Sequence, residues 1–257
     1  MKEYRQVVSN QFYKEKVKHI TLSSGHNRKT VYCITEKDQL WGWGYNGTHM
    51  LGNGSNQSVF EPILLFDGKP VKRIFTTSNG HYGTTFILDG NDELWVTGYT
   101  GVGQSSTGSS GTYVKDENGT LGKWGRVKGL NPDIEKNIID IHFATGSTNE
   151  GNRNHTSVYL HYQDKHGFGK LMVCGYNAFG QLGLHHNNEV TTFTSLPYAP
   201  RNITRVYPFQ NVYERGRLYI TDEDDTLWFT GATSWWERGS GQGVHSINSL
   251  QRVAGLH

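Results

Sequence analysis

The chain has 257 residues and a formal net charge of +2, a near-neutral balance that makes no case for electrostatic attraction to nucleic acid or to a membrane surface. Thirty-two glycines and 12% aromatic residues against six prolines fit short strands joined by many turns, and few stretches keep the apolar i, i+3, i+4, i+7 spacing of a long helix. No apolar run approaches membrane-spanning length, and Met1–Gln6 lacks the apolar core of a signal peptide, so a soluble protein of the cytoplasm or of a virion is expected.

In chain order, residues 1–16 are polar with apolar points at Tyr4, Val7 and Phe12, and predict an N-terminal strand or arm. A first repeat, about 17–68, follows. Val17 to Leu22 and Thr30 to Thr35 predict strands, Glu36 to Gln39 a polar turn, and Leu40 to Trp43 and Glu61 to Phe66 two more strands. The second repeat, about 69–133, restates this order with Val71 to Ile74, Thr84 to Leu88, Leu94 to Val96 and Trp124 to Leu130. Its Gly/Ser/Thr-rich insertion, Thr100 to Lys123, predicts a surface loop with a hairpin across Asp116 to Gly119. The third repeat, about 134–201, has strands at Ile138 to Ile141, Thr156 to Leu160 and Leu171 to Cys174, a fourth near Phe193 to Pro197, and added loops at Gly146 to Asn154 and Gln163 to Lys170. The fourth, about 202–257, has Ile203 to Val206, Arg217 to Thr221, the acidic turn Asp222 to Asp225, Leu227 to Phe229, and Leu250 to Leu256.

Each unit thus carries about four strands in one order, an apolar-x-x-apolar pair on the first and a glycine-rich break after the third. A sheet of this kind cannot bury both faces alone. Radial packing against its neighbours solves that problem, so the expected fold is all-β, a β-propeller-like array of about four four-stranded antiparallel blades, partial or open.

The glycine-rich breaks carry a family resemblance. Cys174-Gly-Tyr-Asn-Ala-Phe-Gly-Gln-Leu-Gly183 resembles the signature of the regulator-of-chromosome-condensation repeat. Gly42 to Gly47 with Leu51-Gly52 is similar, and Gly98 to Gly101 with Gly103-Gln104 is so more loosely. Repeat four lacks the Gln-Leu-Gly. His26, His81 and His155 fall at the family's His position, where hydrogen bonding in the scaffold is expected. The resemblance implies a β-propeller that acts mainly as an interaction platform; the founding member is a nucleotide-exchange factor that binds chromatin. The family usually builds seven blades, and four repeats are present here.

Motifs for covalent chemistry are weak. Gly101-Val-Gly103 has no helix after it to cradle a phosphate, and there is no nucleophile elbow. Acidic pairs such as Asp224-Asp225 and Glu36/Asp38 lie in turns between strands. Cys33 and Cys174, the two cysteines, each sit in an apolar strand and predict buried free thiols. Six of the twelve histidines fall in repeat three with spacings that match no metal motif. No catalytic residue, metal or cofactor is assigned. Candidate contact residues are Trp235, Trp236 and Arg238, which replace the Asn-x-x-Gly-Gln segment of repeat four, with Tyr99 and the loop pair His185-His186. The expected function is that of a non-enzymatic structural or protein-interaction module, oligomeric or within a larger assembly such as a phage tail fibre, collar or decoration layer. The alternatives are exchange-type regulation of a small GTPase, and carbohydrate or host-surface binding through Trp235, Trp236 and Tyr99. No nucleic-acid partner and no membrane insertion are expected.

Overall fold

Alternation of β-branched and aromatic residues, broken by glycine and by Asp-led turns, resolves each repeat into one sheet. The structure is a computed structural model that describes residues 12–25, 28–78, 82–109, 111–147, 154–210, 215–233 and 246–253. The first sheet holds β1 (Val17–Gly25), β2 (Arg28–Thr35), β3 (Leu40–Gly44) and β4 (Val59–Leu64). The second holds β5 (Val71–Ser78), β6 (Gly83–Asp89), β7 (Leu94–Gly98) and β8 (Gly125–Arg126). In the third are β9 (Ile138–Ser147), β10 (Asn154–Gln163), β11 (Gly169–Gly175) and β12 (Val190–Ser195), and in the fourth β13 (Ile203–Gln210), β14 (Gly216–Asp222), β15 (Leu227–Ala232) and β16 (Ser246–Arg252). Every sheet is an antiparallel meander in chain order, the build of a propeller blade. A short helix α1 (Pro132–Lys136) precedes the third sheet, with the Asn131 side chain accepting from Ile134 N–H at its start.

The chain divides into two compact units. Met1–Tyr99 with Tyr113–Arg126 holds the first two sheets, and Thr100–Thr112 with Val127–His257 holds the last two. Each unit has its own core. In the first, Tyr32, Ile34, Leu40, Leu65 and Phe66 of one blade pack on Val71, Ile74 and Ile87 of the next. In the second, Tyr159, Leu171, Val173 and Leu196 pack on Ile203, Val206, Leu218 and Ile220. Each of these aliphatic side chains contributes about 1.5–3 kcal/mol by leaving water. The thiols of Cys33 and Cys174 are free and buried, as expected.

Four features depart from the expectation. The described part of the N-terminal arm is a 3-10 turn at Phe12–Lys14, not a strand. Glu15 N–H closes it on Phe12 O, and the Phe12 ring lies 5.3 Å from Trp41 and 5.9 Å from Trp43. The fourth strand of repeat two is only the pair Gly125–Arg126. The loop expected at Gly146 to Asn154 is narrower, because β9 and β10 continue to a Ser147–Asn154 pair. The first half of the Thr100 to Lys123 insertion is not a surface loop: Thr100, Val102, Gln104, Ser105 and Ser106 are all buried. Ser106 explains this. Its hydroxyl donates to Lys128 O and accepts from Phe193 N–H, which fastens the segment into the second unit. The hairpin across Asp116 to Gly119 is present, with Lys115 bridged to Leu121.

Candidate interaction surfaces

The surface features grow out of one recurring corner at the end of each third strand. Gly44, Gly98, Gly175 and Gly231 share φ near +100°, between 99° and 110°. A Cβ there would lie 2.3–2.4 Å from a carbonyl oxygen of the neighbouring strand, so only glycine fits. The residue after the glycine is tied back by its carbonyl. Thr30, Thr84 and Ser157 donate hydroxyls to Tyr45 O, Tyr99 O and Tyr176 O, and Arg217 Nε donates to Ala232 O. The next residue closes the loop nine positions on. Asn46 Nδ2 donates to Ser55 O at 2.7 Å, Thr100 Oγ1 to Ser109 O at 3.1 Å, and Asn177 Nδ2 to His186 O at 2.8 Å. The loop after the corner then bridges the following blade, Asn53 to Lys123 just before β8 in the first unit and Leu184 to Ser249 of β16 in the second.

In the first two blades a tyrosine, Tyr45 or Tyr99, follows the corner glycine, and Tyr82 and Tyr113 pack beside Tyr99. In the first unit this makes a cluster. The Tyr82 and Tyr99 ring centroids are 4.3 Å apart, those of Tyr99 and Tyr113 6.0 Å, and those of Tyr113 and His49 4.7 Å. The Arg28 guanidinium lies 5.0 Å over the Tyr45 ring. All four tyrosines and Arg28 are half-buried. Burial, and then the neighbouring phenols of Tyr82 and Tyr45, raise the Tyr113 hydroxyl above its ordinary value, so it stays a neutral donor.

Of the residues singled out from the sequence, Tyr99 is the centre of this cluster. His185 and His186 form the expected exposed loop pair in the second unit. The His185 ring meets the exposed Tyr198 edge-on at 5.3 Å, and His186 Nδ1 accepts from Asn188 N–H. Trp235, Trp236 and Arg238 lie outside the described residues, as do His26 and His81. The His155 ring is buried against Tyr176 at 4.1 Å. Tyr45, Tyr82, Tyr113 and Arg28 were not picked out from the sequence. The repeated Gly-Tyr at 44–45, 98–99 and 175–176 was the available signal for Tyr45.

Two other features bear on chemistry. A cleft of about 300 Å³ in the first unit is bordered by Phe66, Asp67, Lys69, Trp95, Asn118 and Lys123, among others. Its Trp95 ring already carries the Arg126 guanidinium at 5.3 Å and Lys69 Nζ at 6.0 Å, so it is no vacant stacking platform. In the second unit His142 and His161 lie 6.4 Å apart, and burial holds both imidazoles below their ordinary value. His161 Nε2–H donates to Ile203 O at 3.0 Å, a structural role. Among the described residues no group of three or more His, Cys, Asp or Glu is placed to hold a metal, and no helix is long and apolar enough to cross a membrane.

Four-stranded meander blades with glycine corners, two of them Gly-Tyr-Asn, give this chain the fold of a regulator-of-chromosome-condensation (RCC1)-type β-propeller. It superposes on human WBSCR16 with a TM-score of 0.62 at 17% identity, over 95% of this chain and 55% of that one. For Prp20p of Saccharomyces cerevisiae the TM-score is 0.63 at 16% identity, over 96% and 52%. For yeast RCC1 (Prp20) bound to Kap60 it is 0.61 at 16%, over 94% and 49%. In sequence, the chain is 24% identical over 145 residues to the mitochondrial RCC1 domain-containing protein RUG3 of Arabidopsis thaliana, covering 44% of this chain and 32% of that protein. The chain therefore spans about half the length of these solved structures and about a third of the Arabidopsis relative. No protein-family model matches it.

Proposed function

We infer that this chain is a protein-binding β-propeller module, acting by contact and not by covalent chemistry, and that the Tyr45, Tyr82, Tyr99, Tyr113 and Arg28 cluster is its principal contact face. The cluster itself carries the reading. Tyrosine and arginine dominate binding hot spots because they offer large amphipathic area at a low entropic cost of ordering. Here the corner glycines and ring contacts have already ordered them. Similar proteins lend support: yeast RCC1 has been crystallised with Kap60, and Prp20p is described with its binding to Gsp1p and histones. Burial raises both thiols, Cys33 to about 11, so neither is set up as a nucleophile.

The test compares proteins captured by the wild-type chain with those captured by a Tyr82→Ala/Tyr113→Ala variant whose thermal unfolding is unchanged. Loss of the specifically captured proteins is expected. Retention of the same set by the folded variant would move the contact face elsewhere.

A further inference from the structure

Repeated blades allow equivalent residues to be compared. Leu65, Leu196 and Val253 each donate N–H to the carbonyl of the third-strand leucine four residues before the corner glycine, Leu40, Leu171 and Leu227, at 2.8, 3.2 and 2.9 Å. With Tyr32, Tyr159 and Tyr219 on the second strands, these make three equivalent trios on the outgoing side of three blades. In the first unit the trio Tyr32, Leu40, Leu65 packs on Val71 and Ile74, the apolar pair of the next first strand. In the second unit Tyr159, Leu171, Leu196 packs on Ile203 and Val206 in the same way. The backbone joins in the first unit, where Val71 N–H donates to Asp38 O at 2.7 Å and Gln39 bridges Pro70.

Among the described residues, one surface of each kind stays partly open, although Phe229 beside Tyr219 is buried. On β1, Val17 and Ile20 hold the positions of Val71 and Ile74. They are 45% and 56% exposed, against 0% and 7%. Leu22 beside them is exposed as well. On the fourth sheet Tyr219, Leu227 and Val253 are partly exposed, where the two earlier trios are buried. Charge matches across the two surfaces. Asp225 and Thr226 hold the positions of Asp38 and Gln39, in a turn that also exposes Glu223 and Asp224. Lys16 and Val17 hold the positions of Pro70 and Val71, next to the exposed Lys14, while Lys18 is paired with Asp38 of its own blade.

We propose that the β1 face of one copy of this chain docks head to tail on the Tyr219, Leu227 and Val253 face of a second copy, with Lys14 and Lys16, just ahead of β1, against the acidic turn at the rim. The occupant is a second copy because the chain itself carries the matching surface in both apolar pattern and charge. A heterologous contact of this kind uses a different patch on each copy.

The test is the solution mass by light scattering from about 1 to about 100 μM, a range that brackets ordinary interface affinities. The wild-type chain is expected at the mass of two or more chains, with the higher mass declining as salt screens the rim charges. Ile20→Glu on the exposed β1 face, and Asp224→Lys/Asp225→Lys on the exposed turn, should each weaken association at least about ten-fold without loss of fold. Mixed in equal amounts, the two variants should regain the mass of a pair, since each keeps the surface that the other lacks. A wild-type chain of single mass throughout would overturn the proposal and assign both faces to further blades of a longer chain or to another protein. Association that survives both variants would equally sink it, by placing the junction elsewhere.

Discussion

Asp222 closes the turn between β14 and β15 by accepting from Asp224 N–H and Thr226 N–H on one oxygen, at 3.0 and 2.9 Å, and from Trp228 Nε1–H on the other at 2.8 Å. Asp89 does the same for its turn, with Asn91, Glu93 and Trp95. The sequence marks these carboxylates as members of solvated turns, and composition alone gives no reason to set Asp222 apart from Asp224. The difference is burial: Asp222 is enclosed while Asp224 is exposed. Burial pushes the Asp222 carboxyl up, but the bonds from Trp228, Thr226 and Asp224 outweigh it and hold the group below its ordinary value. The stabilisation is therefore full above the unfolded value of about 3.9 and is lost as pH falls through the lower folded value. Asp222→Ala should destabilise by about 2 kcal/mol, since three donors lose their acceptor. Asp222→Asn should flatten the acid limb. Urea unfolding at pH 7 and along a series below pH 4 measures both. An acid limb unchanged in the Asn variant would show that other carboxylates set it.

At the scale of the element, the corner after each third strand is where sequence reading succeeded and then stopped. Glycine at positive φ and an Asn one residue past the tyrosine are visible in Leu171 to Gly183 and in its first copy. In the second copy Thr100 stands where Asn46 and Asn177 stand, so the segment looked like the start of a loose Gly/Ser/Thr insertion. Geometry restores it. The Thr100 hydroxyl makes the same nine-residue closure, and Gln104 Oε1 accepts from Val102 N–H as Gln181 Oε1 accepts from Phe179 N–H. The Thr100 hydroxyl makes its second bond to a side chain, the Ser105 hydroxyl, where the asparagines reach a backbone N–H. Asn46 and Asn177 also accept from Leu51 N–H and Leu182 N–H, at 2.9 Å each, through Oδ1. The asparagine corners should thus depend on their amide more than the second corner depends on Thr100. Asn177→Ala is expected to cost about 2 kcal/mol, because the buried Leu182 N–H and the part-buried His186 O lose partners, and Asn177→Thr to recover about half of that. Denaturant midpoints for the two variants decide it. A Thr variant as weak as Ala would mean that the closing bond to His186 O contributes little.

For the whole molecule, equivalent positions look alike in sequence and differ in burial, because only the assembled chain decides which blade has a neighbour. Val17-x-x-Ile20 and Val71-x-x-Ile74 are the same pattern, yet one pair is open and the other closed. Leu171 and Leu227 are likewise the same residue at the same place on the third strand, four residues before the corner glycine, fully buried in the third sheet and partly exposed in the fourth. No local propensity separates them. Leu171→Ala should therefore cost about 3 kcal/mol, the transfer of a buried side chain plus the cavity left in the second unit's core. Leu227→Ala should cost about 1 kcal/mol or less at dilutions where the chain is single. As concentration rises and a second copy covers the fourth sheet, the cost of Leu227→Ala should grow while that of Leu171→Ala stays fixed, since only the first is linked to association. Unfolding midpoints at two protein concentrations read both numbers. If Leu227→Ala matched Leu171→Ala at the lower concentration, the outer face of the fourth sheet would already be covered within one chain, and head-to-tail pairing would have no surface to use.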